Sequence, residues 1–271
     1  MNKRDSCPLC QSINLSLYNI LKVDKDFRNY INSYYKKNSF SELSNFIDNE
    51  INYMKCNNCN LIYQKNILTS KGMYKLYEEI IDYKLSLKKR LNFSLKHNEN
   101  SIKLIYKLLK LVNKKPSEVV VVDLGMGFGH MLSYAKALGC INSYGIEVSE
   151  MRIKYAKDNF GIKSFDSLDK FKDEEIDFLI ANQSLEHIPN IRETLNLIEN
   201  KIAKNGIVYI SVPNGSEKKS FLSKGSFQPL EHINSFIPSS KNFFFSNKMK
   251  YKFMLKNICP KNRTTWLFQK I

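Results

Sequence analysis

From residue 117 to the end of the chain, short apolar runs alternate with stretches whose apolar residues recur every three or four positions. This alternation limits the fold more than any other feature. Glu118-Val-Val-Val-Val-Asp123 is apolar throughout between its acids, the mark of a strand buried on both faces. The spacing then predicts a helix over 128–138, a strand over 143–147, a helix over 149–160, a short strand over 162–165, a strand over 176–181, a helix over 191–203 and a strand over 206–212. Two strand-like pieces at about 250–258 and 264–270, split by Pro260, predict an antiparallel hairpin. Strands separated by helices imply an α/β architecture, a parallel sheet covered by helices on both faces.

The chain upstream is different. Residues 67–115 read as helical, with Leu104, Ile105, Leu108, Leu109 and Val112 on one face and Pro116 as the stop. Residues 1–66 hold four of the six cysteines, as Cys7-Pro-Leu-Cys10 and Cys56-Asn-Asn-Cys59. Two such pairs predict a structural Zn2+ held by four thiolates with no open position. A redox pair is the alternative, but redox Cys-x-x-Cys motifs occur singly beside a βαβ unit. The 45 residues between the pairs predict an insertion, helical around 24–50. Cys140 and Cys259 are expected to be isolated buried thiols. The expected division is a zinc-ribbon-like module over 1–66, a helical connector over 67–115 and a catalytic domain over 116–271.

Composition narrows the partners. The formal charge is +16, which admits a nucleic-acid ligand, but six arginines stand against thirty-six lysines. Arginine is the better residue for bidentate phosphate and base contacts, so a solvated lysine surface is the favoured reading. Anionic small molecules suit such a surface too. No apolar run is long enough for a membrane span. The polar start, Met1-Asn2-Lys3-Arg4-Asp5-Ser6-Cys7, leads us to expect no secretory signal and a cytoplasmic protein with reduced thiols.

The chemistry-bearing motif is Asp123-Leu-Gly125-Met-Gly127-Phe-Gly129, between the first strand and its helix. Glycines there allow a tight turn and close approach of a ligand to the backbone. Glu147 ends the second strand, where a carboxylate can accept from both hydroxyls of a ribose. The spacing is Gly-x-Gly-x-Gly, unlike the Gly-x-Gly-x-x-Gly of NAD sites. With Asp123 ahead of it, the motif resembles the first motif of class I S-adenosylmethionine (SAM)-dependent methyltransferases. Three further segments carry the resemblance: 176–190, with Asn182-Gln183-Ser184-Leu185-Glu186-His187-Ile188; 205–214, closing in Val212-Pro213-Asn214; and 229–238, with Glu231-His232-Ile233-Asn234. Met126 departs from the family, where small residues are usual.

The resemblance implies a Rossmann-like sheet with SAM across the carboxyl ends of its strands. Gly125, Gly127 and Gly129 would hold its amino-acid part, with Asp123 near the amino group and Glu147 on the ribose. Asp166 would meet the adenine, and Asn182 and Gln183 would lie near the sulfonium. A zinc ribbon ahead of such a domain is similar to a bacterial group that modifies sugars and surface-glycan precursors. Its sugar C-methyltransferases carry a further C-terminal domain, whereas this sequence ends at Ile271, so O- and N-methylation stay open. An alcohol acceptor needs a base, and histidine is the obvious candidate. His232, beside Glu231, is the first choice and His187 the second; His97 is expected at the surface and His130 packed or near SAM. The leading reading is methyl transfer to a small-molecule or glycan acceptor. An RNA methyltransferase and a catalytically silent SAM-binding or zinc scaffold are the alternatives.

Overall fold

The computed structural model describes residues 1–216, 221–222, 225–252 and 263–271. The strands are β1 Asn2–Lys3, β2 Leu15–Lys22, β3 Glu50–Cys56, β4 Ile62–Gln64, β5 Asn66–Ile67, β6 Val121–Leu124, β7 Ser143–Ile146, β8 Lys163–Phe165, β9 Ile176–Asn182, β10 Ile202–Pro213, β11 Asn234–Ser235, β12 Met249–Lys252 and β13 Arg263–Lys270. The α-helices are α1 Lys25–Tyr34, α2 Ser39–Leu43, α3 Ser70–Tyr74, α4 Tyr83–Leu91, α5 Leu95–Leu109, α6 His130–Ala137, α7 Glu150–Phe160 and α8 Ile191–Lys201. They fall into two compact units. The first takes in Met1–Lys88, Glu186–Arg192 and Pro213–Phe244; the second takes in Lys89–Leu185, Glu193–Val212 and Phe245–Ile271.

The second unit is a Rossmann-like α/β sheet of seven strands in the order β12-β13-β10-β9-β6-β7-β8. β10, β9, β6, β7 and β8 pair in parallel, and β12 and β13 form an antiparallel hairpin. The expected strand over 250–258 begins in β12; residues 253–262, with Cys259, lie outside the described residues. From β6 the chain winds outward through β7 and β8, then returns to build β9 and β10 on the other side. That reversal leaves a crevice at the carboxyl ends of β6 and β9, where open α/β sheets take ligands. The core joins Val121, Phe178, Ile180, Ile207 and Tyr209 of the sheet to the α5 stripe and to Leu132 and Ala135 of α6. Each large side chain of that stripe contributes about 1.5–3 kcal/mol by burial. Cys140 is fully buried, as expected.

Two expected elements change shape. The first strand starts at Val121 because Pro116–Glu118 forms a 3-10 turn. The helical stretch before it is broken: α3 runs into a π-helical turn over Lys75–Ile80, and α4 and α5 follow separately. Polar side chains start each new helix. Asp82 accepts from the Leu85 N–H (2.9 Å), and Ser94 accepts from the His97 N–H (3.2 Å). α4 buries no side chain, so nothing fuses it to the apolar stripe of α5.

The first unit has a four-stranded antiparallel sheet, β11-β4-β3-β2, and a separate β1–β5 pair. The insertion around 24–50 is helical, as expected: Asp24 caps α1 by accepting from the N–H groups of Asp26 and Phe27. α1 and α2 bury Phe27, Ile31 and Leu43 against Ile51 and Tyr53 of β3.

Candidate functional site

The glycine loop lies at the carboxyl end of β6 and lines a cavity of about 730 Å³ within the second unit. Asp123, Gly125, Gly127, Asn182 and Gln183 line it together. Gly127 has φ +55°, and a Cβ there would meet nothing within 4 Å, so its main chain is left open to a ligand. Gly125, at φ +73°, serves packing instead: a Cβ would stand 2.8 Å from the Ser184 Cβ. Gly129 does not line the cavity; a Cβ there would strike Ile162 and Ala156 at 2.7 and 2.9 Å. Met126 departs from the small residue usual in the family by lying over Gly145, where an added Cβ would fall 2.0 Å from its sulfur.

Asp123 is 2% exposed, and its Oδ1 has no hydrogen-bond partner. Burial first, and Glu147 second, raise its carboxyl pKa well above the ordinary value. A site that strands a carboxylate in this way is suited to a cationic ligand group. Glu147, 7% exposed, accepts from the N–H groups of Val148 (2.9 Å), Ser149 (3.0 Å) and Gly127 (3.0 Å). Those bonds fix the glycine loop to the end of β7, and Arg152 stands 3.8 Å from the same carboxylate. Asp166 is 78% exposed in a 3.9 Å ion pair with Lys170, and neither it nor Glu147 lines the cavity. Gln183 turns the chain at φ +58°, donating its N–H and its amide to the Ser211 carbonyl (2.7 and 3.2 Å).

The cavity wall also carries four basic side chains. Arg90, Lys103, Lys107 and Arg263 line it, with His97 and His130. Burial and then Arg90 hold His130 down to about 4, so it is neutral at pH 7. Arg263 donates to the Asn182 side-chain oxygen (3.2 Å). These arginines and lysines went unnoticed in the sequence because they lie far from the glycine motif along the chain.

In the first unit the four cysteines converge. Cys7 and Cys59, and Cys10 and Cys56, have sulfurs 3.5 Å apart, and all four lie within 4.8 Å of one another. Those separations are too long for disulfides and near the ~3.8 Å edge of a tetrahedron with 2.3 Å metal–sulfur bonds. The two knuckles share one conformation. Gln11 (φ +60°) donates to the Cys7 carbonyl at 2.8 Å, and Asn60 (φ +59°) donates to the Cys56 carbonyl at 2.9 Å. Arg192 grips the first knuckle, donating to the Leu9 carbonyl from Nε (2.9 Å) and Nη2 (2.6 Å). Four thiols of this geometry fit a zinc ion.

The candidate proton acceptors are also in the first unit. The His187 and His232 rings are 4.8 Å apart and inclined at 76°. His187 donates from Nδ1 to the Glu231 carbonyl (2.9 Å), with the Tyr77 hydroxyl 3.0 Å from the same nitrogen. His232 donates from Nδ1 to the Gly225 carbonyl. Burial holds His232 down to about 4, so it too is neutral at pH 7. The Glu231 Oε1 accepts from Tyr35 (2.7 Å) and Gln228. Leu230, just before it, is held at φ +68°, a conformation that bulky residues adopt only under constraint. Tyr35, Tyr77 and Glu186 were not anticipated as parts of this cluster. The twice-used Glu-His-Ile, at 186–188 and 231–233, was the available signal.

The profile of a family described as a methyltransferase domain matches residues 95–242, more than half of the chain, and the chain belongs to that family. Its fold is that of class I SAM-dependent methyltransferases. It resembles the crystal structure of a SAM-dependent methyltransferase from Archaeoglobus fulgidus (19% identity, 70% of this chain, 100% of that one, TM-score 0.50). It also resembles the plantazolicin methyltransferase BpumL in complex with SAH (17%, 73% and 93%, TM-score 0.52). A ribosomal protein L11 methyltransferase from Lactobacillus johnsonii is 31% identical over 137 residues, 45% of this chain. The chain spans 43% of that relative's length. Among the described residues, no helix is long and apolar enough to cross a membrane.

Proposed function

We propose that the protein transfers a methyl group from SAM to a small-molecule acceptor, a sugar or nucleotide-linked glycan precursor. The observation that carries the reading is the buried, partnerless Oδ1 of Asp123 beside the open main chain of Gly127. It fits the amino group of SAM, and the loop through Gly125 and Gly129 would support its amino-acid part. Glu147 would take a ribose hydroxyl, Asn182 and Gln183 would border the sulfonium, and Asp166 is retained for the adenine. Bound SAM carries a sulfonium, an ammonium and a carboxylate, so it adds net positive charge to a wall that already holds Arg90, Lys103, Lys107 and Arg263. An anionic acceptor such as a nucleotide-sugar suits that balance better than a neutral one. Zinc on Cys7, Cys10, Cys56 and Cys59 would be structural.

Methyl transfer is an in-line displacement in which the chain must align sulfur, carbon and nucleophile and exclude water. The acceptor's proton would pass to the histidine centre, with His232 first, His187 second and Glu231 holding His187 through its carbonyl. Calorimetric titration with S-adenosylhomocysteine (SAH) tests the cofactor half: saturable binding is expected, and its absence from a folded, zinc-loaded sample refutes it. Screening nucleotide-sugars against RNA tests the acceptor half; RNA binding that collapses with salt would favour the RNA reading. His232→Ala should slow turnover and spare SAH affinity.

A further inference from the structure

We propose that Arg90 and Arg263 form an oxyanion clamp in the wall of the second unit's cavity, one that takes a doubly charged phosphoryl group of the acceptor. The clamp deepens the methyl-transfer reading and rests on it for what the group is attached to; the anion site itself does not depend on it. Both arginines belong to one unit and line the cavity that the glycine loop borders.

Each guanidinium is positioned by neutral neighbours. Arg90, near the end of α4, lies over the Phe93 ring at 4.6 Å from its centroid. The Tyr134 hydroxyl supports its charge while donating to the Asn98 Oδ1 (2.8 Å). Its Nη1 stands 3.5 Å from the His97 Nε2. Arg263 opens β13 and donates from Nη1 to the Asn182 Oδ1 (3.2 Å). Among the described residues, no carboxylate pairs with either arginine. Their charges nonetheless act on common ground. Burial, then Arg90 and Arg263, lower the His97 pKa, and Arg263 adds to the burial that lowers that of Arg90. Two half-buried like charges with no anion between them make a place that an oxyanion relieves. The lysines of the same wall differ. Lys103 is 61% exposed and pairs with Glu99, and Lys107 is exposed, so water carries most of their charge.

Charge selects the ligand class. SAM carries a sulfonium and an ammonium against one carboxylate. Asp123 answers the ammonium, and the carboxylate offsets the sulfonium, so the two guanidiniums are left for the acceptor. A phosphate monoester or a diphosphate brings two negative charges close together. A neutral sugar brings none, and a phosphodiester, the linkage of RNA, brings one per phosphate. The planar forks of arginine also meet phosphoryl oxygens in pairs, which a lysine ammonium does not.

The test uses the full chain, zinc-loaded and saturated with SAH, titrated calorimetrically with inorganic diphosphate and then with uridine diphosphate and glucose 1-phosphate. One diphosphate per chain is expected, with a Kd at or below about 1 mM that weakens with added salt. Arg90→Gln and Arg263→Gln should each weaken it at least about tenfold. Lys204→Gln, an exposed lysine that does not line the cavity, should leave it unchanged. Tighter binding of uridine diphosphate assigns the group to a nucleotide-linked acceptor, and tighter binding of glucose 1-phosphate assigns it to a sugar phosphate. Diphosphate that displaces SAH overturns the proposal, because the arginines then serve the cofactor's carboxylate. Failure to saturate overturns it too, as does an equal loss in Lys204→Gln, which would be an effect of net charge alone. The wild-type competition with SAH decides even where a variant does not fold. Repeating the titration without SAH separates the two readings. Diphosphate bound without SAH affinity removes methyl transfer and keeps the anion site; SAH bound without diphosphate does the reverse.

Discussion

The two units hold their candidate ligands by opposite strategies. In the second unit one turn, Asp123 to Phe128, supplies five of the residues that line the cavity, and a regular sheet places it. Its groups are neighbours in sequence, and Gly127 contributes a backbone rather than a side chain. In the first unit the candidate ligands come from far apart: Cys7 and Cys10 before the insertion, Cys56 and Cys59 after it. A site made of one turn survives as long as its strand does. A site gathered from distant segments depends on every contact that gathers them, so the metal in the first unit should be a condition of folding, and the ligand of the second a consequence of it.

The largest expected effect follows from that difference. A chelator strong enough to strip the cysteines should unfold the first unit, because zinc binding in small modules supplies on the order of 10 kcal/mol of folding free energy. Differential scanning calorimetry should show one transition lost or moved far down and the other little changed. Loss of both together would break the comparison and make the units one cooperative block. Arg192→Ala should give a weaker version of the same result, about 2–3 kcal/mol, since it removes charged donors from the Leu9 carbonyl.

Next in size is Gly127→Asp. The position is open and its φ of +55° is one that aspartate tolerates, so the fold should stand. The new side chain would fill the space kept for the ligand, and SAH affinity should fall at least about 100-fold, or about 2.7 kcal/mol, by calorimetry. Unchanged affinity would remove the cofactor from this loop.

The same contrast explains how much could be read in advance. The strand–helix alternation after residue 117 is local, so the parallel order, the glycine turn and the position of Glu147 were legible. So was the convergence of Cys7, Cys10, Cys56 and Cys59, because paired knuckles are a spacing rule. Glu186 joining His187 and His232 was not, nor was Tyr35 taking the Glu231 carboxylate, because no periodicity links residues so far apart along the chain. The break of the 67–115 stretch into separate helices was hidden for another reason: Asp82 and Ser94 act as caps only once the chain on either side is helical. Met126 was readable as an anomaly, but its partner Gly145 was not. Gly145→Ala should cost about 1–3 kcal/mol in urea unfolding, and adding Met126→Ala should recover most of it.

The smallest expected effect sharpens the comparison most, because it has two signs. Asp123 is buried with its pKa raised, so the folded state holds its proton more tightly than the unfolded state does. The unfolded chain ionises near the ordinary value of 3.8, and from that pH upward the fold loses stability until the folded pKa is reached. Above it the cost stays. Asp123→Asn removes the charge and keeps the shape, so the ligand-free protein should gain on the order of 1 kcal/mol at pH 7, a gain that fades as the pH falls toward 4. SAH affinity should move the other way, falling about tenfold, because the carboxylate that burdens the empty fold is the partner for the ligand's amino group. Urea midpoints at pH 7 and pH 4, read beside SAH titrations, check both signs. A gain without the affinity loss would mean that Asp123 is merely a misplaced charge; the loss without the gain would mean that the empty site already neutralises it.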